Sequence, residues 1–442
     1  MRKITFILWL SVLAAGSMAQ TTLWKTDTVR NRLYRIPSII VHGNDLIAFA
    51  DNRSGVTDAT AWGDVGSAGN ISIEARYSHD GGKTWTDGRE IIKGFGKGTF
   101  DQSHGDAAVV RDRDSGRMLL MCASGAISFG RSRATAADNY ARAVRIGRYY
   151  SIDDGYTWNG GDISSLIYGL YDSGNDSTNV SRAFFTSGRI CQSSLVKRGG
   201  YYRIYASLTT NEGSLVVYSD DFGGSWSPLG GSDARPAPHG DEAKIEELPD
   251  GNIVLSSRMR GGRYFNVFRY AGKRFDKGEW GVPTASTAID GGTAALNNDT
   301  NGEILLLPAT GSNGKRVYVA LQSIPRGNTG NHPDNVDRRS DVSIYWKAFT
   351  SRREMAAPEQ WCEGWQRMEV TKNRSAYSTM GADRRGNISV LYEDMGIRMK
   401  LGSQYCEMYD INFKQTTLEE ITAGKYSFSN EPKHRERFLK QK

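Results

Sequence analysis

Three aspartates stand at the same place in a short motif that the chain repeats, S-x-D-x-G-x-[TS]-W. They are Asp80, Asp153 and Asp221, and they recur at nearly even distances. A recurring carboxylate could do chemistry or could shape a turn. The motif favours a turn, because Asp binds turn amides, Gly accepts positive φ angles, and Trp can cover apolar surface beneath the turn. We therefore interpret the repeat as a hairpin with a structural role.

Arg35 is a stronger candidate for binding a ligand. It stands in YRIPSII, between apolar strand residues, whereas a lone Arg is usually a solvated surface residue. The formal net charge of +7 could favour an anionic ligand, although an ordinary basic surface is the commoner explanation. Basic residues are spread out apart from PKHRERFLKQK at the end of the chain, and no nucleic-acid motif accompanies them. We expect no nucleic-acid partner.

Cysteine and histidine form no recognisable metal-binding pattern. The cysteines, Cys122, Cys191, Cys362 and Cys406, are widely spaced without a C-x-x-C, and the six histidines form no H-E-x-x-H. A chain of this length does not need disulfides, even where export permits them. The sequence therefore predicts no metal site and favours buried free thiols.

The elements that would position the candidate residues are short strands. Runs rich in Val, Ile, Tyr and Phe alternate with Gly, Asp and Asn turns, and 50 glycines with 10% aromatic residues fit an all-β chain. SRREMAAPEQW is the best candidate for a short helix. Repeated four-stranded units can close into a ring, and roughly six suit this length. No linker marks a second domain, so we expect a single domain over residues 20–442.

Residues 1–19 have the features of a secretory signal peptide. A positive RK precedes the apolar run ITFILWLSVLAA, which is too short to span a bilayer, and SMA fits a small-x-small cleavage site. We predict cleavage before Gln20 and an exported protein, periplasmic or extracellular, with no membrane span after cleavage. An uncleaved membrane anchor is the alternative.

With YRIPSII followed by three copies of the repeat, the chain closely resembles the bacterial exo-α-sialidases, or neuraminidases. The resemblance covers nearly the whole expected mature chain. It implies an all-β, six-bladed β-propeller of four-stranded antiparallel blades, in which the repeated turns, called Asp boxes, are peripheral and structural. Asp boxes also occur in non-catalytic propellers, whereas Arg-Ile-Pro together with several boxes is more specific.

The resemblance implies three arginines that clamp the carboxylate of a sialic acid, since a planar guanidinium binds a carboxylate in bidentate fashion. The first is Arg35. The second is Arg258, in DEAKIEELPDGNIVLSSRMRGG, where Arg260 and Arg263 follow closely.

The third arginine of the family pattern follows a strand ending in Ser-x-Pro and a loop. Here VALQSIP ends such a strand, a loop longer than the family's follows, and RRSDVSIYW begins the next strand. Arg339 fits best, and Arg338 and Arg316 stay open as alternatives.

The resemblance assigns Tyr377, in RSAYSTM, as nucleophile. A carboxylate nucleophile would approach a centre that already bears a carboxylate, and a neutral phenol avoids that repulsion. A phenol ionises near pH ~10 and so needs a base within hydrogen-bond reach. Glu242, the first glutamate of GDEAKIEEL, matches the family's partner. An ordinary strand Tyr is the alternative for Tyr377.

An acid/base Asp follows an Arg by five or six residues in the family. In AFADNRSGVTDATAWGD this points to Asp58 after Arg53, with Asp64 as the alternative because the segment is long. Such an Asp protonates the leaving oxygen and then activates water.

Three further residues match weaker parts of the family pattern. Arg53 would hold a sugar hydroxyl, and Asp106, in SHGDAAVVRD, would be another polar sugar contact or a turn cap. Glu393, in SVLYED, would steady the first arginine or be a simple strand-end Glu.

The sequence therefore predicts an exported exo-α-sialidase that acts with retention on sialylated glycans, glycoproteins or glycolipids, without metal or cofactor. A trans-sialidase, an intramolecular trans-sialidase and a non-catalytic glycan-binding propeller are the alternatives. A binding protein of this descent would usually have lost Tyr, Glu or an Arg, and here none is missing.

Overall fold

A computed structural model describes most of the chain. The described residues are 20–53, 70–172, 180–296, 299–327, 339–401 and 404–441, with the side chains of 398–406 left aside. The expected signal peptide, residues 1–19, lies outside them.

Short strands dominate the described residues, as the sequence predicted. In chain order they are β1 (Thr21–Trp24), β2 (Tyr34–His42), β3 (Asp45–Arg53), β4 (Ile71–Ser78), β5 (Arg89–Ile92), β6 (His104–Arg111), β7 (Met118–Ser124), β8 (Arg145–Ser151), β9 (Asn159–Asp162), β10 (Ala183–Phe185), β11 (Gly188–Arg189), β12 (Cys191–Arg198), β13 (Tyr201–Thr210), β14 (Gly213–Ser219), β15 (Ser227–Pro228), β16 (Ala243–Glu247), β17 (Ile253–Met259), β18 (Gly262–Tyr270), β19 (Gly278–Trp280), β20 (Thr284–Ser286), β21 (Glu303–Gly311), β22 (Arg316–Pro325), β23 (Val342–Phe349), β24 (Gln366–Glu369), β25 (Ser378–Ala382), β26 (Ile388–Leu401), β27 (Gln404–Thr416) and β28 (Tyr426–Phe428).

Helices are few and short in the part of the chain that the structure describes. They are α1 (Ser164–Tyr168), α2 (Arg352–Met355), α3 (Leu418–Ile421) and α4 (His434–Leu439), with 3₁₀ turns at Phe100–Gln102, Phe129–Arg131, Ala136–Asp138 and Pro358–Trp361. The helix expected in SRREMAAPEQW is confirmed as α2 and the 3₁₀ turn after it. Across the described residues, no helix has the length and apolar character needed to cross a bilayer.

The strands form five hydrogen-bonded sheets. Four have five strands each, and the fifth has eight, in the order β25-β26-β27-β2-β3-β4-β5 with β1 paired to β27. The prediction of an all-β fold is confirmed, whereas hydrogen bonding alone does not yield six separate blades. The reason is a narrow junction, in which Tyr34 of β2 pairs with Tyr409 of β27 and so joins the first and last sheets of the chain.

The apolar core lies between sheets that are neighbours in chain order. One cluster joins Phe49 of β3 with Leu120 of β7, and the next joins Leu119 of β7 with Leu208 of β13. Successive strand residues point to opposite faces, so β7 contributes to both clusters. Stacking of sheets through both faces is typical of propeller-type folds.

The repeated turns form as their sequence predicts. In the second copy, Asp153 accepts bonds from the amide of Thr157 at 2.9 Å and from its hydroxyl at 2.6 Å. The hydroxyl of Ser151 donates to Asp153 at 2.8 Å and accepts from the Gly155 amide at 2.9 Å. Gly155 has a φ of 85°, which other residues rarely adopt. The three copies connect β4 with β5, β8 with β9, and β14 with β15, and the hydrogen bonds of the Asp and Ser side chains stay within each turn.

Three cysteines are buried free thiols, as expected: Cys122, Cys191 and Cys362. Burial raises the pKa of the Cys122 thiol to about 12, so it behaves as a small apolar side chain rather than a nucleophile.

Replacing the carboxylate of one repeat should destabilise the fold. Asp153→Ala removes three hydrogen bonds, and we expect a loss of about 1–2 kcal/mol in the free energy of unfolding, measured by urea denaturation at neutral pH. The Thr157 hydroxyl bond is the main cause that lowers the pKa of Asp153 to about 2. A lowered pKa stabilises above the unfolded value of ~3.9, so the difference from wild type should shrink as pH falls toward 2.

Asp233→Ala, in an exposed turn, is the matched control and should leave stability unchanged. Equal effects of the two substitutions would contradict a structural role for the repeat.

Candidate active site

The phenol of Tyr377 lies against the carboxylate of Glu242. Its Oη is 2.9 and 2.8 Å from the two carboxylate oxygens, and both residues are buried. Burial, against the opposing charge of Arg258, raises the pKa of Glu242 to about 7. Burial and then the charge of Glu242 hold the pKa of Tyr377 well above its ordinary value. A phenol in this position can pass its proton to the carboxylate as it attacks an electrophile.

Two hairpins bring this pair together from distant parts of the chain. Glu242 directly precedes β16, and its carbonyl accepts a 2.7 Å bond from the amide of Arg258 on β17. Tyr377 directly precedes β25, and its carbonyl accepts a 2.8 Å bond from the amide of Glu393 on β26. Glu242 and Tyr377 thus each lie beside a charged residue on the next strand of the same sheet.

Three guanidinium groups surround the phenol. Nη1 of Arg258 is 2.8 Å from Glu242 and 3.2 Å from the phenol oxygen. The Cζ atoms of Arg35 and Arg339 lie 5.4 and 5.5 Å from the centre of the Tyr377 ring. Both side chains are buried. Such a concentration of positive charge, partly shielded from water, is suited to holding a carboxylate.

Arg339 lies in the cluster, whereas Arg316 does not. Arg316 begins β22 and pairs with Glu431 at 2.7 Å. Arg339 lies just before β23, on the side where β22 ends, and Nη2 of Arg339 donates to the carbonyl of Asp299 at 3.2 Å. The length of β22 places the two arginines roughly 30 Å apart. Arg338 lies outside the described residues.

The arginines close to Arg258 in sequence have other places. Arg263 is fully buried and is held by Asp299 at 3.1 Å and by the carbonyl of Thr300. Arg260 is exposed at the turn between β17 and β18. Of these arginines, Arg258 is therefore the one that contacts the phenol, whereas Arg263 bonds to Asp299 and Thr300.

Glu393 holds both Arg35 and Tyr377 in place. Its carboxylate accepts bonds from Nε of Arg35 at 2.7 Å, from the amide of Ile36 at 2.8 Å and from the amide of Tyr377 at 3.0 Å. Ile36 has a φ of 53°, which is rare for a β-branched residue. The bond to Glu393 stabilises this bend of β2, and the bend turns Arg35 toward the phenol.

Arg35 has a second set of partners that sequence reasoning missed. Its Nη1 donates to the carbonyl of Glu407 at 3.2 Å, and its Cζ lies 5.1 Å from the ring of Tyr409. The Glu407 carboxylate accepts from the Tyr409 hydroxyl at 2.5 Å and forms an ion pair with Arg374. The available signal was a Glu and a Tyr two residues apart on β27, which places them on one face of the strand.

Arg53 and Asp106 meet at a buried carboxylate that sequence reasoning also missed. Asp51 accepts from Nη2 of Arg53 at 2.8 Å and from the amide of Asp106 at 3.1 Å, and all three residues are buried. The Asp106 carboxylate is 3.9 Å from Arg53, and its charge also raises the pKa of Glu242. Arg53 and Asp106 are therefore held together at Asp51, and Asp106 lies near enough to Glu242 to affect its pKa.

Asp58 and Asp64, the two candidates for the acid/base, lie outside the described residues. The segment 54–69 that contains them follows Arg53 directly. Within the described part of the chain, no three His, Cys, Asp or Glu side chains are grouped to hold a metal ion.

Comparison with known sequences points to one group of enzymes. The sequence profile described as "BNR/Asp-box repeat" matches residues 76–87, the first of the repeated turns. A sialidase from Paraclostridium sordellii is 26% identical over 250 residues, 55% of this chain and 57% of the relative. A sialidase from Micromonospora viridifaciens is 26% identical over 381 residues, 83% of this chain and 50% of the relative. The chain thus spans about half the length of these relatives.

Comparison with solved structures supports the fold. The intramolecular trans-sialidase from Ruminococcus gnavus superimposes with a TM-score of 0.64 at 15% identity, covering 92% of this chain and 99% of that one. A leech intramolecular trans-sialidase gives 0.63 at 14% identity, covering 92% and 71%. The NanB sialidase from Streptococcus pneumoniae gives 0.62 at 14% identity, covering 91% and 71%. The resemblance expected from the sequence is confirmed, as is a propeller-type all-β fold.

Glu242→Gln should become more stable relative to wild type as the pH rises. The raised pKa of Glu242 means that its stabilising contribution is complete below the unfolded value of ~4.3 and is lost as pH rises through about 7. A Gln cannot ionise, so the free energy of unfolding of the variant should rise relative to that of wild type, by roughly 4 kcal/mol between acidic and alkaline limits. Urea denaturation across this pH range measures it.

The exposed Glu359→Gln serves as the control and should follow the wild-type curve. A constant difference between Glu242→Gln and wild type at every pH would contradict the raised pKa.

Glu393→Ala should be strongly destabilising, because it leaves the buried Arg35 without its carboxylate partner. We expect a loss of about 3–5 kcal/mol in the free energy of unfolding, and a smaller loss for Glu393→Gln, which keeps an acceptor. Glu369→Ala removes only longer, partly exposed ion pairs with Arg367 and Lys372 and should cost under about 1 kcal/mol. Similar losses for Glu393→Ala and Glu369→Ala would show that the buried pair is not critical.

Proposed function

We propose that this chain, which resembles the bacterial sialidases, is an exo-α-sialidase that releases terminal α-linked sialic acids with retention of configuration. The observation that carries the proposal is the hydrogen bond between Tyr377 and Glu242 inside a ring of three arginines. A buried phenol with an adjacent carboxylate and excess positive charge fits an anionic sugar that is attacked at its anomeric carbon.

The arginines would bind the substrate by its carboxylate. Arg35 and Arg339 lie over the ring of Tyr377, whereas Arg258 donates to the phenol oxygen. A bidentate pair with a carboxylate fixes both position and orientation. Binding in this way would place the anomeric carbon, which carries that carboxylate, next to the phenol oxygen.

The first chemical step would form a bond between Tyr377 Oη and the anomeric carbon. The phenol proton passes to Glu242, and the glycosidic oxygen leaves with a proton from Asp58. The raised pKa of Glu242 brings its proton affinity closer to that of a phenol than an exposed carboxylate would have. Arg258, bonded to both oxygens, would stabilise the charge that moves between them.

The second step would reverse the first with water as the nucleophile. Asp58 takes a proton from water, the water oxygen bonds to the anomeric carbon, and the Tyr377 oxygen leaves and recovers its proton from Glu242. Two displacements at one carbon retain its configuration. We assign this role to Asp58 rather than to Asp64 because its spacing after Arg53 matches the pattern of the family that the chain resembles.

Arg53 and Asp106 would contact hydroxyl groups of the sugar. Their mutual anchor, Asp51, is fully buried and fixes the backbone of Asp106, whose φ is 57°. Glu393 would act through Arg35 and Tyr377 rather than on the sugar itself.

We further propose six blades, by counting the eight-stranded sheet as two four-stranded units. One unit is β2 to β5, and the other is β1 with β25 to β27. The single residue pair that joins β2 to β27 supports this division. The chain would be exported after removal of residues 1–19 and would act on sialylated glycans, glycoproteins or glycolipids outside the cytoplasm.

An intramolecular trans-sialidase is the second candidate. Two of the similar structures are intramolecular trans-sialidases. The match with the Ruminococcus gnavus structure covers 99% of that chain. The same residues would form the tyrosyl intermediate, and a hydroxyl of the bound sugar would replace water in the second step. The released product distinguishes the two reactions.

Tyr377→Phe should abolish turnover without unfolding the protein. We expect hydrolysis of a fluorogenic α-sialoside to fall by at least ~10³-fold, the order of loss when a nucleophile is removed from a hydrolase. Tyr318→Phe, which removes the hydroxyl of another buried Tyr outside the site, is the control and should keep wild-type activity. Free sialic acid as the product of wild type supports hydrolysis, and an anhydro-sugar supports the second candidate. A fully active Tyr377→Phe variant would contradict the proposed mechanism.

A further inference from the structure

A basic cavity lies at the far ends of the strands that carry or follow Arg35, Asp106 and Tyr377, which we call the catalytic cluster together with Glu242, Arg258 and Arg339. Its volume is about 590 Å³. Strand β2 runs from Arg35, beside the phenol, to His42 on the cavity wall. Strand β6 likewise runs from Asp106 toward the cavity, and β25 starts just after Tyr377 and ends there. The cavity is therefore on the face of the protein opposite the catalytic cluster, roughly 20 Å away along β2.

Charge in the cavity wall is strongly one-sided. The wall contains five arginines and one acidic residue: Arg111, Arg113, Arg189, Arg384, Arg385 and Asp383. Three of these arginines have a carboxylate partner, since Arg111 pairs with Asp154, Arg189 with Glu246, and Arg385 with Asp383.

Two arginines keep a charge that no carboxylate balances among the described residues. Arg113 binds the side-chain and backbone oxygens of Gln192, which are neutral, at 3.1 and 2.9 Å. Arg384 is exposed at the turn between β25 and β26 and forms no ion pair with any described residue. Arg111 and Arg384 both lie near enough to His42 to lower its pKa, after the larger effect of burial. Arg111, Arg113 and Arg384 therefore place positive charge around the same cavity.

Two buried donors in the same wall have no acceptor. Nε of Arg111 and Nε of Arg189 are both shielded from solvent and make no hydrogen bond within the described residues. Because both atoms are shielded from solvent, they do not face the open space of the cavity. The unbalanced charge of Arg113 and Arg384 is the feature that indicates an anionic partner.

We infer that this cavity is a second ligand site, which binds a small organic molecule of about monosaccharide size through a phosphate or carboxylate group. Guanidinium groups match the planar edge of either oxyanion. The volume is that of a small-molecule pocket and exceeds what a lone inorganic anion fills. Apolar residues Ile39, Val41 and Ile190 also line it and would contact the uncharged part of the ligand. The inference does not depend on the proposed function.

Binding to purified full-length protein by calorimetry tests the site. The probes are glucose 6-phosphate, glucuronic acid, inorganic phosphate and glucose. Arg384→Glu reverses the charge of an exposed side chain without removing an ion pair, so it should fold normally. We expect it to weaken binding of the charged sugars by about 10-fold or more, the loss for one charge-assisted contact. Glucose should not bind, and phosphate alone should bind more weakly.

Two control variants locate the binding. Arg353→Glu reverses the charge of another exposed arginine, on α2, and should leave binding unchanged. Arg258→Ala removes an arginine of the candidate active site and should also leave binding to the cavity unchanged. In this variant, titration with a charged sugar should still shift the NMR signals of the His42 ring. The inference is overturned if no charged sugar binds saturably, if Arg258→Ala alone removes binding, if Arg353→Glu weakens it as much as Arg384→Glu, or if phosphate binds as tightly as glucose 6-phosphate.

Discussion

The carboxylate of Glu393 is the interaction on which the site depends most. It is fully removed from water and accepts bonds from one charged side chain and two backbone amides, those of Arg35, Ile36 and Tyr377. A buried charge is tolerated only with such a complete set of partners. Because these donors are far apart in sequence, a single carboxylate fixes the distance between Arg35 and Tyr377.

The pKa of Glu242 depends on a balance of like and unlike charges in a small buried volume. Arg258 stabilises the ionised form of Glu242, whereas burial, Asp241 and Asp106 oppose it, and the pKa rises to about 7. A more completely paired carboxylate would be a weaker base, and an unpaired one would stay protonated. The arrangement keeps Glu242 near the point where it can both accept and return a proton.

Features that depend on local sequence could be predicted, and those that depend on register could not. The Asp-box turn needs only side chains two to six residues apart, so its motif is sufficient to predict it. The pairing of Tyr377 with Glu242 was expected from family resemblance, because no local rule joins residues of separate sheets. Glu407 and Asp51 were missed, since each becomes a site residue only through β-bulges and cross-strand pairs. The join of the first and last sheets was missed for the same reason.

The pairing of β1 with β27 has a consequence for how the protein is made. Thr21 lies opposite Phe413, so β1 finds its neighbour in a strand that is synthesised much later than itself. Until then the growing chain carries an open strand edge, which invites pairing with other chains. Contacts this distant in sequence also form slowly. The pairing of β1 with β27 therefore closes an edge that would otherwise be open to other molecules.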